Sequence, residues 1–220
     1  MTTINLAEMP FFSICGEGTE IGKPAVFIRT FGCNKVPKCS YCDTSYSYEG
    51  KPITLTLSKL IKELDIISAK TQCRTLFLTG GEPTLQEEAL IILLRYMHGS
   101  YTILQTNGTR FSPVLFGLVD ELSVDVKGPS SGLQSNLSTE SKIDRMFSHK
   151  KRQFKFVVSN TEDLAFAKWA MRQLTGTIIL QPEANTLGIH ALAQWVLADP
   201  DIARHDIRVL PQLHRILGVK

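Results

Sequence analysis

The chain contains 220 residues, of which 43% are hydrophobic and 20% charged, a composition typical of a globular protein with a substantial core. Its formal net charge of +3 is too small to indicate a nucleic-acid-binding surface, and it has no run of about 18 apolar residues that could span a membrane. The first residues lack the basic segment and apolar core of a signal peptide. We therefore expect a single domain over residues 1–220 in the reducing cytoplasm, without membrane or direct nucleic-acid partners.

Apolar runs alternate with helical periodicity along the chain. Apolar residues recur three or four positions apart from Leu57 to Ile67, which predicts an amphipathic helix. Thr84 and Glu87 have the spacing of a capping box and predict the start of a second helix. The polar segment 130–152 is interpreted as a loop with at most a short helix. Strands are predicted at 25–30, 75–79, 101–106, 121–126, 154–158, 177–180 and 206–210, and helices at about 57–70, 84–97 and 186–198, with a further helix that ends before Gly176.

This alternation predicts an α/β fold with a parallel sheet covered by helices. The chain is shorter than the roughly 250 residues typical of a closed eight-fold barrel. We therefore predict an incomplete, TIM-like barrel of about six parallel strands that is open on one side. Polar and glycine-rich segments follow nearly every strand, and that end of a barrel is where active sites are built. The polar residues expected to meet there are the cysteines of 33–42, Gly80 to Pro83, Asn107, Asp125, Lys127 and Gln181.

The segment 31–44 contains Cys33, Cys39 and Cys42 in the arrangement Cys-x5-Cys-x2-Cys. Structural zinc sites and most iron–sulfur clusters use four protein ligands, so three clustered cysteines favour a cubane cluster with one iron open to an outside ligand. A zinc site completed by one of the five histidines is the alternative. Cys15 and Cys73, each isolated, are more typical of packing residues.

Two other features point to the same end of the sheet. Arg29 ends an apolar strand just before the cysteine loop, and arginine is seldom buried without an anionic partner. Gly16 and Gly18 flank Glu17 in a turn where the backbone can approach another group closely.

The three cysteines, followed by Gly80-Gly81-Glu82-Pro83, resemble the signature of radical S-adenosylmethionine enzymes. The usual spacing there is Cys-x3-Cys-x2-Cys, so the first gap is longer in this chain. Within that superfamily, the chain resembles the 7-carboxy-7-deazaguanine synthase family, which usually has glutamine where Cys15 stands. The stretches that carry the resemblance are 12–18, 22–29, 32–34, 39–44, 79–83, 105–108, 125–127, 155–158, 181–182 and 211–214.

The resemblance implies a radical SAM core in which Cys33, Cys39 and Cys42 hold a [4Fe–4S] cluster. The fourth iron would bind S-adenosylmethionine and cleave it to a 5′-deoxyadenosyl radical. The implied S-adenosylmethionine contacts are Gly80, Gly81, Glu82, Asp125, Val126, Lys127 and Gln181. The implied Mg²⁺ ligand is Thr44, and the implied substrate contacts are Ile14, Cys15, Gly16, Glu17, Arg29, Thr79, His214 and Lys220. No individual catalytic side chain is assigned.

The implied reaction converts 6-carboxy-5,6,7,8-tetrahydropterin to 7-carboxy-7-deazaguanine with loss of ammonia, in queuosine and 7-deazapurine biosynthesis. The implied partners are an electron donor such as flavodoxin or ferredoxin and a second copy of the chain in a homodimer. Three alternatives stay open. A glycyl-radical activase would use the same cluster on a protein partner, a zinc-binding module would need a fourth protein ligand, and the wide cysteine gap could mark an inactive homologue.

Overall fold

The structure is a computed structural model that describes residues 2–133, 135 and 137–220. Gln134 and Asn136, which fall in the predicted polar loop, lie outside the described residues. The strands are β1 (Thr3–Leu6), β2 (Phe11–Ile14), β3 (Pro24–Thr30), β4 (Ile53–Thr56), β5 (Thr75–Gly80), β6 (Tyr101–Thr106), β7 (Glu121–Val126), β8 (Lys151–Val158), β9 (Thr177–Pro182) and β10 (Ile207–Val209). The helices are α1 (Leu57–Thr71), α2 (Glu87–Tyr96), α3 (Pro113–Leu118), α4 (Ser138–Met146), α5 (Thr161–Met171), α6 (Ile189–Leu197) and α7 (Leu213–Leu217).

All ten strands belong to one sheet with the order β10-β9-β8-β7-β6-β5-β3-β1-β4, and β2 also pairs with β3. The strands from β3 through β5 to β10 are parallel neighbours, whereas β1, β2 and β4 extend one edge through antiparallel pairs. Within the described residues the end strands β10 and β4 do not pair with each other, so the sheet stays open. The predicted incomplete barrel is confirmed, with seven parallel strands rather than about six.

Each parallel strand directs alternate side chains to the inside of the curved sheet and to the helices. Phe27, Phe77 and Ile103 lie side by side in the strand register and form a small apolar cluster with Cys15 and Ala25. The rings of Phe27 and Phe77 stack with 5.1 Å between their centroids. We call this cluster the apolar floor. The next inward-facing residues of the same strands lie directly above it.

The larger apolar core lies between the sheet and the helices. Helix α1 contributes Leu57, Leu60 and Leu64 to it, on the face that the periodicity predicts. The helix begins where the Thr56 hydroxyl accepts a hydrogen bond from the Lys59 N–H at 3.3 Å, which satisfies one of the free donors of the first turn. The predicted helix over 57–70 is therefore confirmed. Among the described residues, no helix is both long and apolar enough to cross a membrane.

The start of α2 differs from the prediction. Thr84 does not cap the helix, because its hydroxyl donates to Oε1 of the buried Glu82 at 2.7 Å. Residues Pro83–Gln86 form a 3₁₀ turn, and α2 begins only at Glu87. The capping-box prediction is wrong because an adjacent carboxylate is the stronger acceptor for Thr84.

Several short elements carry no clear sequence signal. Strands β1, β2 and β4 have four residues each and are partly exposed, so their apolar pattern is too brief to recognise. Helix α4 falls within the predicted loop 130–152, where a short helix was allowed. Helix α6 begins three residues later than predicted, at Ile189, because Glu183 accepts from the Asn185 N–H and holds the preceding residues in a turn.

Candidate active site

An open cleft lies at the carboxyl ends of the parallel strands. Its walls include the residues directly above the apolar floor, among them Arg29 on β3, Thr79 on β5 and Gln105 on β6. Most of the residues predicted for the site line this one cleft. They are Ile14, Gly16, Glu17, Arg29, Cys33, Cys39, Cys42, Thr44, Thr79, Gly80, Gly81, Asp125, Lys127, Gln181, His214 and Lys220.

Three predicted residues do not line the cleft. The thiol of Cys15 is fully buried in the apolar floor, and its N–H and C=O are both used in hydrogen bonds to Lys23 and Gly22. Val126 faces the helices, because it alternates with the inward-facing Asp125 and Lys127. Glu82 is fully buried behind the glycine loop. The side chains of Cys15, Val126 and Glu82 therefore lie outside the cleft lining, and their contacts with substrate or cofactor stay predictions.

The cysteine loop connects β3 to the turn at Ser45–Ser47 and is fastened at both sides. Lys38 Nζ donates to the Cys33 carbonyl at 2.7 Å, and Asn34 bonds both Asn107 and Thr109, at 2.9 and 2.8 Å. None of the described cysteines forms a disulfide. The three thiols of the loop thus face one cavity in a form able to bind a metal cluster.

The glycine loop lies against the backbone of the cysteine loop. The Gly81 N–H donates to the Thr30 carbonyl at 3.1 Å, and the Glu82 N–H donates to the Gly32 carbonyl at 2.7 Å. A Cβ atom on Gly81 would lie 2.0 Å from the Gly32 oxygen, so only glycine permits this approach. Glu82 fixes the loop from behind by accepting hydrogen bonds from Thr84, Thr106 and the Asn107 N–H. These hydrogen bonds hold the glycine loop in place.

Four ionisable groups meet inside the cleft. Lys155 Nζ pairs with Glu17 and lies 3.1 Å from Asp125 Oδ1, and Lys127 Nζ lies 3.2 Å from Asp125 Oδ2. Burial alone would raise the pKa of Glu17, but the Lys155 ammonium outweighs it and holds that pKa well below its usual range. Burial alone would lower the pKa of Lys155, and Asp125 and Glu17 instead raise it. All of these groups are therefore charged at neutral pH.

Removal of Lys155 is expected to destabilise the fold in a pH-dependent way. In Lys155→Met, Glu17 and Asp125 keep their charges at pH 7 with one cation fewer, which should lower the free energy of unfolding by about 3–5 kcal/mol. The folded pKa of Glu17 is below its ordinary value of 4.5 and that of Lys155 above its ordinary 10.5, so the pair contributes fully between these values. As the pH falls below 4.5, protonation of the carboxylates should shrink the difference from the wild type.

Urea unfolding from pH 3 to 9 measures this difference. The control is Lys62→Met, a change of an exposed lysine on α1 that should alter the free energy of unfolding by less than about 0.5 kcal/mol. A deficit in Lys155→Met that is the same at pH 3 and pH 7 would contradict the ion-pair explanation.

The C-terminal segment forms part of the cleft wall through Gln212, His214, Arg215 and Lys220. Gln212 donates to Glu17 at 2.8 Å and to Asp43 at 3.1 Å, so it links the Glu17 turn to the cysteine loop. A Cβ on Gly16 would lie 2.0 Å from Nδ1 of His214, which shows that the imidazole rests directly on this glycine. The predicted turn around Glu17 is thus a contact surface for both the cleft and α7.

Among the described residues, three buried polar atoms of the cleft wall have neither a hydrogen-bond partner nor an ion pair: the Tyr41 hydroxyl, Ser47 Oγ and Gln181 Oε1. Buried polar groups are normally paired, so these atoms indicate where a polar ligand would bind. Sequence reasoning assigned no role to Tyr41, Lys155, Gln212 or Asp43. The available signal was Lys155 itself, since a lysine inside an apolar strand needs an anionic partner.

This combination of an open parallel barrel, a three-cysteine loop and a glycine loop defines a known class of protein. A model of the radical SAM superfamily matches residues 27–180, from within β3 to within β9. The chain therefore belongs to the radical SAM superfamily, whose members use a [4Fe–4S] cluster and S-adenosylmethionine.

Relatives narrow this class further. The chain is 32% identical to the 7-carboxy-7-deazaguanine synthase of Bacillus subtilis (strain 168), over 93% of this chain and 92% of that protein. It is 34% identical to the 7-carboxy-7-deazaguanine synthase of Methanospirillum hungatei JF-1, over 98% of this chain and 86% of that protein. Within the superfamily, the chain belongs to the 7-carboxy-7-deazaguanine synthase family.

Solved structures agree on the fold. The crystal structure of QueE from Escherichia coli has a TM-score of 0.67 and 22% sequence identity, and the match covers 96% of this chain and 95% of that one. The crystal structure of a radical SAM methyltransferase from Sphaerobacter thermophilus has a TM-score of 0.66 and 14% sequence identity, and the match covers 86% of this chain and 66% of that one. At these identities the likeness concerns the fold alone.

Proposed function

We propose that the protein is a 7-carboxy-7-deazaguanine synthase, a radical SAM lyase that contracts the ring of 6-carboxy-5,6,7,8-tetrahydropterin with loss of ammonia. The supporting observation is that the three thiols, the glycine loop and the buried charge cluster line one cleft. They do so in a chain that matches 7-carboxy-7-deazaguanine synthases over nearly their full length. This agreement favours the proposal over a zinc-binding module or a glycyl-radical activase.

The residues present fit the cluster and S-adenosylmethionine. Cys33, Cys39 and Cys42 would hold the cluster, and three thiolates leave one iron for an outside ligand. When bound, the cluster and S-adenosylmethionine supply the one-electron radical chemistry of the reaction. Gly80 and Gly81 would present backbone groups to the methionine end, while the unpartnered Tyr41 hydroxyl and Gln181 Oε1 offer polar contacts nearby.

The pterin would occupy the part of the cleft above the apolar floor. Glu17 is held as a charged carboxylate, and a carboxylate accepts the N–H donors that a pterin ring presents. The Arg29 guanidinium suits the substrate carboxylate, because its N–H groups can form a bidentate pair. His214 and Lys220 close the same side of the cleft. These groups bind and orient the substrate above Phe27 and Phe77.

The geometry also offers ligands for Mg²⁺. Thr44 has its hydroxyl 3.8 Å from Cys42 Sγ, so a cation there would lie beside the cluster. Donor atoms of Glu17, Asp43 and His214 lie within 4.8 Å of one another in the same wall. Magnesium prefers oxygen ligands, which Thr44, Glu17 and Asp43 can supply and His214 cannot, and it keeps several waters or substrate oxygens. We assign Thr44 as its ligand, with Asp43 as the adjacent carboxylate.

The cluster held by the cysteine loop needs one electron, which a carrier such as flavodoxin or ferredoxin would supply. A homodimer stays a prediction of the family resemblance.

The test is anaerobic incubation of the reconstituted protein with S-adenosylmethionine, dithionite, Mg²⁺ and 6-carboxy-5,6,7,8-tetrahydropterin, with mass spectrometry of the products. We expect 7-carboxy-7-deazaguanine. Formation of 5′-deoxyadenosine alone by protein with a full cluster would indicate a radical enzyme with another substrate. If neither 7-carboxy-7-deazaguanine nor 5′-deoxyadenosine forms, the proposed activity is overturned.

A further inference from the structure

Glu8, in the connection between β1 and β2, contacts three other parts of the chain. Its Oε1 accepts a hydrogen bond from Arg29 Nε at 3.0 Å and one from the Tyr46 hydroxyl at 3.2 Å. Its Oε2 accepts one from Lys220 Nζ at 2.7 Å. The carboxylate therefore joins the end of β3, the turn after the cysteine loop and the C-terminal segment.

These contacts restrain the Arg29 guanidinium at two points. Nε donates to Glu8, and Cζ lies 5.6 Å from the centre of the Tyr46 ring, within the range of a cation–π interaction. The side chain of Arg29 is only 14% exposed and that of Glu8 17% exposed. A hydrogen bond through Nε leaves Nη1 and Nη2, at the end of the guanidinium, available for a second carboxylate in the cleft.

A free arginine would lose much rotamer entropy on binding an anion, since its side chain is long and flexible. An arginine held in advance by Glu8 and Tyr46 loses less, which is the general advantage of a pre-organised site. The negative charge of Glu8 itself repels an anionic substrate. Glu8 can therefore favour binding only by holding the Arg29 guanidinium in the right orientation.

We propose that Glu8 is a positioning residue that orients Arg29 toward the carboxylate of the pterin and so selects carboxylated pterins over neutral ones. This inference rests on the proposed function, in which Arg29 receives that carboxylate. Glu8 does not touch the reacting atoms, and its effect is transmitted through Arg29.

The experiment compares Glu8→Ala with Glu8→Gln in the reconstituted holoenzyme. Glutamine keeps an oxygen that accepts from Arg29 and Tyr46, whereas alanine removes it. For Glu8→Ala we expect the KM for 6-carboxy-5,6,7,8-tetrahydropterin to rise about tenfold, the effect of one lost charged hydrogen bond, with kcat within about twofold. Glu8→Gln should stay within about threefold of the wild type in both constants. The matched control is Glu88→Ala, at an exposed acid on α2, which should change neither constant.

Binding without turnover provides the second measurement. Calorimetry gives the Kd of the holoenzyme for 6-carboxytetrahydropterin and for neutral 6-hydroxymethyltetrahydropterin. In Glu8→Ala the preference for the carboxylated compound should fall about tenfold while the Kd of the neutral compound stays constant. An equal loss for both compounds, or equal defects in Glu8→Gln and Glu8→Ala, would overturn the positioning role. Failure of the wild type to bind the carboxylated pterin at all would instead overturn the proposed function.

Discussion

Replacement of Cys39 by alanine is expected to give a colourless protein without a [4Fe–4S] cluster and without detectable product. The cysteine loop supplies three thiols to the cleft, and the fourth iron is needed for S-adenosylmethionine. With two thiolates left, the cube has too few protein ligands to persist. Iron and sulfide content after anaerobic reconstitution, together with visible absorption, measures the loss.

The matched control for this change is Cys73→Ala. Cys73 lies just before β5, where its thiol contacts the Pro24 and Thr75 carbonyls at 3.5 and 3.7 Å, far along the strands from the cleft. This variant should keep its full iron content and its activity. A Cys39→Ala protein that retains all of its iron would show that another group is the ligand, and the assignment of the cysteine loop would have to be withdrawn.

The position of the cysteine loop and the glycine loop could be predicted because both follow strands with strong apolar signals. In a parallel sheet, all strand ends of one kind meet at one edge. Once 25–30 and 75–79 were recognised as strands, Cys33 and Gly80 had to lie near each other. The structure places them in adjacent loops, joined by the hydrogen bond from the Glu82 N–H to the Gly32 carbonyl.

Side chains alternate between the two faces of a strand, and the family resemblance by itself does not say which of the implied residues face the cleft. Asp125, Val126 and Lys127 are consecutive, yet only the first and third line the cleft. Lys155 was missed for the converse reason. It was treated as part of an apolar strand, although its inward position places it against Asp125, its partner in the register of β7 and β8. A lysine in a buried strand therefore indicates an anionic partner once it is known which alternate residues of the strand face the inside of the sheet.

Contacts between distant segments could not be predicted from local patterns. Glu8 meets Lys220 across a separation of 212 positions in the sequence, and Gln212 meets Glu17 across 195. Strands as short as β1 and β2 have too few residues to show a period, so nothing local indicates this packing. The same applies to the floor of the cleft, where the thiol of Cys15 is buried in one apolar cluster with Phe27.

Substitution of Gly81 by alanine is expected to abolish activity by separating the two loops of the cleft. The new Cβ would lie 2.0 Å from the Gly32 carbonyl oxygen and 3.0 Å from Cys33 Cβ, and both neighbours belong to the cysteine loop. Because the first obstacle is backbone, a side-chain rotation cannot relieve it, and the loops have to move apart. We expect the free energy of unfolding to fall by about 3 kcal/mol and the affinity for S-adenosylmethionine to fall at least about 100-fold.

Gly117→Ala is the control, since it makes the same chemical change at a site without neighbours. Gly117 is exposed in α3 and a Cβ there would meet nothing within 4 Å, so alanine should stabilise the protein by about 0.4–1 kcal/mol and leave activity unchanged. Calorimetric binding of S-adenosylmethionine to each reconstituted variant, with iron content measured in parallel, separates the two steps of the expected defect. A Gly81→Ala protein with normal iron and normal affinity would mean that the glycine loop does not contact the cofactor and that its close approach to Gly32 serves folding alone.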